Sequence, residues 1–198
     1  MGRAAQISAK EGGHRRVSPA LVAVLASTLV LSFAWATAHF ELTCPSWVTW
    51  QERSLTCDLD GDGSTEHIKL QGRKVDVTGE DGRSIYVSDH AWRVSDVLAA
   101  DVTGNGANEL VMLVWRRGNY GTSRPFWDTG IDLRMTQHLY VMGLRDGTMR
   151  PVWMSHELGD GLQLAQVICP APGQIEMVTR QGERSTWEWN YFGFWRDI

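Results

Sequence analysis

Four carboxylates lie close together in one short segment of this chain. Residues 58–66 read Asp-Leu-Asp-Gly-Asp-Gly-Ser-Thr-Glu, so acidic side chains stand at Asp58, Asp60, Asp62 and Glu66. Calcium is held by about six to eight oxygen ligands in a flexible shell. Alternating carboxylates on a tightly curled loop supply several of these oxygens from one side, and the main-chain carbonyl of Ser64 is expected to add another. The spacing therefore predicts a calcium site.

The residues that follow the loop argue against an EF-hand. In that motif the twelfth position is a bidentate glutamate and helices flank the loop, whereas the twelfth residue here is Lys69. Residues 67–70 alternate between polar and apolar side chains, which is the period of a β-strand. The alternative to a metal site is a pair of Asp-Gly turns held by side-chain hydrogen bonds alone.

A second copy of the loop has fewer acidic residues. Residues 101–109 read Asp-Val-Thr-Gly-Asn-Gly-Ala-Asn-Glu, which places Asp101, Asn105 and Glu109 at positions that are acidic in the first copy. Thr103 replaces the acid between them, so two carboxylates remain. Because calcium affinity falls with the charge of the ligand set, we predict a weaker site here.

A third copy has lost its ligands. We align Gln166 with Asp101 and Glu176 with Glu109, since an Asp-Gly pair precedes Gln166 by the same interval as one precedes Asp101. The intervening segment 168–174 holds no acidic residue. We therefore predict that this copy binds no metal, and that the chain repeats one structural unit about three times.

The two acidic loops, each followed by a glutamate and a predicted strand, resemble the FG-GAP/VCBS repeats that build the β-propellers of integrin α-subunits and many bacterial surface proteins. The resemblance covers roughly residues 45–195 and implies a calcium ion in a strand-connecting loop of each blade. A closed propeller has about four to eight blades, more than this chain offers. The ligands that the resemblance implies are Asp58, Asp60, Asp62, Ser64 and Glu66, and more weakly Asp101, Asn105, Ala107 (main chain) and Glu109.

Beyond residue 41 almost every segment predicts a β-strand. Alternating runs meet at glycine-containing turns near 81–82, 146–147 and 181–182, which is typical of antiparallel hairpins. We predict an all-β fold of about three blade-like antiparallel sheets, as an incomplete or small propeller. Exposed edge strands invite pairing, so a homo-oligomer or a covering segment is expected.

The first 40 residues have a different character. Residues 20–38 carry no charge, a length sufficient for a membrane-spanning helix, and the preceding Arg15 and Arg16 favour a cytoplasmic N-terminus. We predict a cytoplasmic tail at 1–18, a transmembrane anchor at 19–40 and an extracytoplasmic β-repeat domain at 41–198. The alternatives are a signal peptide whose removal gives a secreted protein, and a helix buried in a soluble fold.

Charge and cysteine content limit the partners and the compartment. Residues 41–198 carry 15 Lys and Arg against 22 Asp and Glu, a net charge of −7, so the chain lacks the basic surface of a nucleic-acid-binding protein. Cys44 and Cys57 lie beyond the apolar segment, where disulfides form, and are candidates for a bond. Cys169 is then expected to be a buried apolar residue.

The longest irregular segment, 116–130, mixes glycine, arginine and aromatic residues. This chemistry is typical of recognition loops, and we assign Tyr120, Arg124 and Trp127 as candidate contacts to a sugar or a peptide. The alternative is that these aromatic residues cover the end of an open sheet.

Catalytic motifs are absent from the sequence, which contains neither Gly-x-Ser-x-Gly nor His-Glu-x-x-His. We therefore predict that the protein is not an enzyme. The predicted function is that of a membrane-tethered, extracytoplasmic calcium-binding module for a protein or carbohydrate partner at the cell surface. The alternatives are a structural accessory subunit without its own ligand and a hydrolase of envelope polymers.

Overall fold

Twelve β-strands and one helix form the described part of the chain. The chain divides into two units, Met1–His39 and Phe40–Ile198. This computed structural model describes residues 18–39, 43–119, 127, 130, 132–159 and 162–196.

The first unit contains helix α1, Pro19–His39. The hydroxyl groups of Ser27, Thr28 and Ser32 donate hydrogen bonds to carbonyls three or four residues earlier in the helix. Among the residues that the structure describes, no helix meets both the length and the apolar character needed to cross a membrane. The single-pass anchor predicted for residues 19–40 is therefore not supported.

The second unit consists of three antiparallel sheets, each made from four strands that follow one another along the chain. The first sheet contains β1 (Arg53–Cys57), β2 (Glu66–Gln71), β3 (Lys74–Thr78) and β4 (Ser84–Val87). The second contains β5 (Arg93–Ala100), β6 (Glu109–Arg117), β7 (Met135–Arg145) and β8 (Thr148–Met154). The third contains β9 (Leu164–Ile168), β10 (Gln174–Thr179), β11 (Arg184–Trp189) and β12 (Phe194–Arg196). The all-β prediction is confirmed, and the three described sheets do not close into a ring.

The second sheet is buried on both faces. Along β6, Leu110, Met112 and Val114 belong to the apolar core shared with the first sheet. The intervening Val111 and Leu113 belong to the core shared with the third sheet. A strand that is covered on both sides reads as a continuous apolar run rather than an alternating one, which explains the unbroken apolar sequence of β6.

The outer faces of the stack carry several polar and charged side chains. In β2 the buried residues alternate with exposed His67, Lys69 and Gln71. In the third sheet, outward-facing Glu176 pairs with Arg184, and Glu188 accepts a hydrogen bond from Gln174. These side chains leave the outer faces of the first and third sheets compatible with water.

An ion pair joins the first two sheets through the first strand of each. Arg53 on β1 donates to both carboxylate oxygens of Asp96 on β5, over 2.9 and 3.3 Å. Asp96 is buried and lies where the register between β5 and β6 shifts. It also accepts the Val97 main-chain N–H, so the carboxylate is satisfied despite its burial.

Residues 43–52, here called the N-terminal strap, pack on the end of the second sheet. Val48 forms a buried cluster with Trp115 at the end of β6 and Met135 at the start of β7. The ring of Trp47 meets that of Trp115 edge to face, with the centroids 5.7 Å apart. The strap therefore covers one end of the middle sheet.

The strap also reaches the sheets on either side. The guanidinium of Arg73, in the turn between β2 and β3, lies 4.2 Å from the ring centroid of Trp50. The guanidinium of Arg180, after β10, lies 5.2 Å from the centroid of Trp47. Each contact is a cation–π interaction, and together they connect the strap to all three sheets.

The three cysteines are free thiols. Cys44 belongs to the strap and packs beside Trp115. Cys57 is the last residue of β1 and pairs with Glu66 at the opposite end of the sheets. The proposed disulfide between Cys44 and Cys57 is therefore absent. Cys169 is only half-buried, and its thiol donates a hydrogen bond to the Ala171 carbonyl.

Replacement of Trp47 by Ala tests the role of the strap. The substitution removes the edge-to-face contact with Trp115 and the cation–π contact with Arg180, and we expect it to lower the free energy of unfolding by about 2 kcal/mol. The exposed Trp195 is the matched control, and its replacement by Ala should cost less than about 0.5 kcal/mol. Urea denaturation measures both, and equal losses would contradict the assigned role of the strap.

Candidate metal centre

The loops that join the first two strands of each sheet lie at one end of the second unit. The last strand pair before each loop is Cys57 with Glu66 in the first sheet, Ala100 with Glu109 in the second, and Ile168 with Glu176 in the third. The three glutamates therefore occupy equivalent positions, as the sequence comparison predicted for Glu176.

The start of the third loop differs from the prediction. Strand β9 continues through Ile168, so the residue equivalent to Asp58 and Asp101 is Cys169 rather than Gln166. The third connection is one residue shorter than the other two between its paired strand positions. The alignment from the distant Asp-Gly turn was wrong because the intervening segment differs in length between the copies.

The side chain of Asp58 holds the turn of the first loop. Its two carboxylate oxygens accept the main-chain N–H groups of Gly61, at 2.6 Å, and Gly63, at 2.9 Å. Both glycines have positive φ angles, 78° and 92°, which residues with a Cβ rarely adopt. The sequence Asp-x-x-Gly-x-Gly thus produces a curled loop through local hydrogen bonds.

Three carboxylates converge inside this curl. Oxygen atoms of Asp58, Asp60 and Glu66 lie within 4.8 Å of one another. Asp62 lies outside this group, and its Oδ1 accepts the Ser64 main-chain N–H at 2.7 Å. Among the described residues this is the one cluster of at least three acidic, histidine or cysteine side chains with the spacing of a metal site. The ligand role of the Ser64 carbonyl stays a prediction.

Glu66 is the buried member of the cluster, with a relative exposure of 5%. Its Oε2 accepts the Leu59 main-chain N–H at 2.8 Å. Burial raises the pKa of Glu66, and the carboxylates of Asp60, Asp58 and Asp62 raise this pKa further. Burial also raises the pKa of Cys57 to about 11, with Glu66 and Asp58 contributing. The interior of the loop therefore disfavours additional negative charge.

The second loop has the same backbone turn. Asp101 accepts the N–H groups of Asn105 and Gly106, each at 3.0 Å. Asn105 Oδ1 accepts the Ala107 N–H at 2.7 Å, as Asp62 accepts that of Ser64. The two loops thus share a fold although their charges differ.

The second glutamate has hydrogen-bond donors around both carboxylate oxygens. Glu109 accepts bonds from the Thr103 hydroxyl at 2.7 Å and from Asn105 Nδ2 at 3.0 Å. The main-chain N–H groups of Val102 and Thr103 complete the set. Burial raises the pKa of Glu109, while the hydrogen bonds from Thr103 oppose the rise. Neutral donors therefore surround a carboxylate whose counterpart, Glu66, is surrounded by acids.

Consecutive loops are linked through equivalent carbonyl groups. The Asp58 carbonyl accepts a bond from Asn108 Nδ2 at 2.8 Å, and the Asp101 carbonyl accepts the Gly173 N–H at 3.0 Å. A Cβ added to Gly104 would lie 3.3 Å from the Cα of Gly173, and Gly104 has a φ of 70°, so this close contact favours glycine. Sequence reasoning missed Asn108, because its side chain bonds to the neighbouring sheet and follows no metal-ligand pattern.

The predicted recognition residues are only partly described. Tyr120 and Arg124 lie outside the residues that the structure describes, and Trp127 is 71% exposed. His138, by contrast, is buried, with Nε2 2.9 Å from the Thr136 hydroxyl and Nδ1 3.2 Å from the Ser155 carbonyl. Burial lowers the pKa of His138 to about 4, so this histidine stays neutral and serves the packing of β7.

Comparison with known proteins gives no match. The chain matches no protein-family model, no curated protein and no solved structure. The resemblance to FG-GAP/VCBS repeats thus depends on the two loops and their strand context. The assignments of Asp101, Asn105, Ala107 and Glu109 as calcium ligands also remain predictions.

The raised pKa of Glu66 makes the stability of the fold depend on pH. The folded state holds the Glu66 proton more tightly than the unfolded state, so this contribution to stability is present at low pH. It is lost as the pH rises through the raised pKa. In the presence of a chelator, Glu66→Gln should weaken this dependence and leave the protein at least as stable as the wild type at pH 7. Chemical denaturation across a pH series measures both effects.

The matched variant is Glu109→Gln. Its new amide must place an N–H group where Glu109 now accepts bonds from neutral donors, so we expect a loss of about 1 kcal/mol at pH 7. If the two glutamine variants change stability equally, the electrostatic difference between the loops is not real.

Proposed function

We propose that this protein is a calcium-stabilised β-repeat module that binds a protein or carbohydrate partner outside the cytoplasm. The observation that carries the proposal is the convergence of Asp58, Asp60 and Glu66 within 4.8 Å. Three carboxylates at this spacing repel one another, and a divalent cation removes the repulsion while accepting their oxygens.

The choice of calcium follows from the donor chemistry. Every side-chain atom that the cluster offers to a metal is a carboxylate oxygen. Calcium and magnesium prefer such ligands to the nitrogen and sulfur ligands typical of zinc. The loop is partly open to solvent at Asp58 and Asp60, which allows water to complete the shell. Magnesium demands a more regular octahedral arrangement than this set of carboxylates provides, so the cluster favours calcium.

The second loop supports this interpretation by contrast. Where Thr103 replaces the central acid, its hydroxyl donates to Glu109 over 2.7 Å. A cation in the first loop would satisfy Glu66 in the same way that these neutral donors satisfy Glu109. We infer that both loops stabilise one backbone turn, the first with an ion and the second with hydrogen bonds.

Calcium in the first loop would act on the packing of the sheets. Leu59, whose N–H bonds to Glu66, is 1% exposed and belongs to the core between the first and second sheets. The Asp58 carbonyl receives the Asn108 side chain from the second loop. An ion that fixes Asp58 and Glu66 therefore stabilises the contact between two sheets.

The partner-binding part of the proposal rests on the surface chemistry of the second repeat. Trp127, in the insertion between β6 and β7 that lengthens the second repeat, is 71% exposed. Exposed aromatic side chains in such insertions are typical contacts for sugars and peptides. An extracytoplasmic location provides the calcium concentrations at which modules of modest affinity are occupied.

Replacement of Asp60 by Asn tests the calcium site. Asp60 makes a single long hydrogen bond within the loop, from the Asp62 N–H at 3.3 Å, and the amide oxygen of Asn can keep it. Calcium should raise the midpoint of thermal unfolding of the full chain relative to a chelator, because a ligand of the folded state alone stabilises it. Asp60→Asn should remove most of that rise.

Asp146→Asn is the control, since it makes the same change of charge at a turn with a positive φ of 51° that Asn tolerates. It should keep the full response to calcium. If calcium and chelator give the wild type the same midpoint, the first loop is only a turn and the calcium proposal is wrong.

A further inference from the structure

A basic pocket lies at the end of the sheets opposite the acidic loops. Its volume is about 410 Å³, and its wall includes the connection from β4 to β5, the start of β5 and the end of β6. Ligand pockets for small molecules have volumes from about 300 Å³ upward. The residues that line it are Asp89, His90, Ala91, Trp92, Arg93, Arg116, Arg117 and Met135.

Arg93, Arg116 and Arg117 line this pocket. The ion pairs found among the described residues involve other arginines, so none of them joins these three to a carboxylate. Arg116 donates to the Arg117 carbonyl and, at 3.3 Å, to the Tyr140 hydroxyl. Arg117 donates to the Leu133 carbonyl at 2.8 Å. These acceptors are neutral, so they orient the guanidinium groups without cancelling their charge.

Another cation lies behind the pocket wall. Lys74 Nζ donates to the carbonyls of Asp89 and Trp92 at 2.6 and 2.9 Å. Burial lowers the pKa of Lys74, and the charge of Arg93 acts in the same direction while Asp89 opposes it. The one carboxylate in the wall, Asp89, already accepts the Ala91 N–H at 2.8 Å and lies 3.3 Å from His90 Nδ1.

This concentration of positive charge stands out because the rest of the unit is acidic. Residues 41–198 carry a net charge of −7, yet three guanidinium groups with no carboxylate partner among the described residues share one concave surface. A guanidinium has five N–H donors in a planar fork that fits an oxyanion with two parallel hydrogen bonds. The half-buried Trp92, packed edge to face on Tyr140 at 4.8 Å, adds an aromatic surface beside these donors.

We propose that this pocket binds the oxyanion of an acidic saccharide, that is, a sugar bearing a carboxylate, phosphate or sulfate group. Arg93 and Arg117 contact the oxyanion, Arg116 is held in place by Tyr140, and Trp92 packs against the ring. A volume of about 410 Å³ fits a single sugar ring with one charged group. Arginine clusters also recognise acidic peptide motifs, and the aromatic surface of Trp92 beside the guanidinium groups is the feature that favours a saccharide.

The assignment deepens the proposed function, since it names the chemistry of the partner. It rests on that proposal only for the biological role of the complex, because the pocket and the calcium loop lie at opposite ends of the same strands. Failure of one can therefore be separated from failure of the other with variants at each end.

The test is calorimetric titration of the full chain with glucuronate, glucose 6-phosphate, inorganic phosphate and uncharged glucose. We expect the two charged sugars to bind, phosphate to bind more weakly, and glucose not to bind. Arg93→Gln and Arg117→Gln should each weaken binding about tenfold, the expected loss of a charge-assisted hydrogen bond. Both residues are exposed, so the variants should fold.

Two controls make the result decisive. Arg150→Gln removes the same charge from an exposed position on β8 and should leave binding unchanged. Asp60→Asn should remove most of the calcium response while keeping glucuronate affinity. If Arg150→Gln weakens saccharide binding equally, the attraction is non-specific and the assignment of this pocket as the binding site is wrong. Binding of poly-glutamate without binding of glucuronate would replace the saccharide with an acidic peptide and overturn the proposal.

Discussion

The structure of the second unit depends on the burial of its middle sheet from both sides. Burial of apolar surface is the main favourable contribution to folding, and a single four-stranded meander leaves one or both faces exposed. Here Leu110, Met112 and Val114 of β6 pack against one neighbour, while Val111 and Leu113 pack against the other. Neither outer sheet can lose its contact with the middle one without exposing core residues. The cross-links between sheets act on this arrangement and do not replace it.

Those cross-links are placed at both ends of the stack. At one end, the carbonyls of Asp58 and Asp101 accept hydrogen bonds from the loop of the following sheet. At the other, Trp47 and Trp50 of the strap contact arginines of the first and third sheets. Polar contacts of this kind contribute modest free energies individually, and they add specific links between the sheets to the apolar packing. The acidic loops therefore belong to the architecture as well as to the proposed metal chemistry.

Part of this could be predicted from the sequence, because its signals are local. Asp58, Gly61 and Gly63 specify a turn through hydrogen bonds within five residues of one another, and alternation in β2 specifies a strand with one buried face. The pocket could not be predicted in this way, since Arg93 and Arg117 are brought together only by the pairing of β5 with β6. The same is true of Asn108 and of the distance between Cys44 and Cys57, which depend on how sheets pack and on where the strap lies.

The distribution of charge ties the proposed calcium site and the proposed saccharide pocket to the same strands. Strand β5 begins at Arg93 in the basic pocket and ends beside Asp101, while β6 begins at buried Glu109 and ends at Arg116 and Arg117. Both strands lie in the most buried sheet, whose packing resists local adjustment. An ion in the first loop would therefore act on the pocket through the stability of the stacked sheets, without reshaping the arginines. A partner bound at the basic end would in turn meet a surface that folding had already arranged, which lowers the ordering cost of binding.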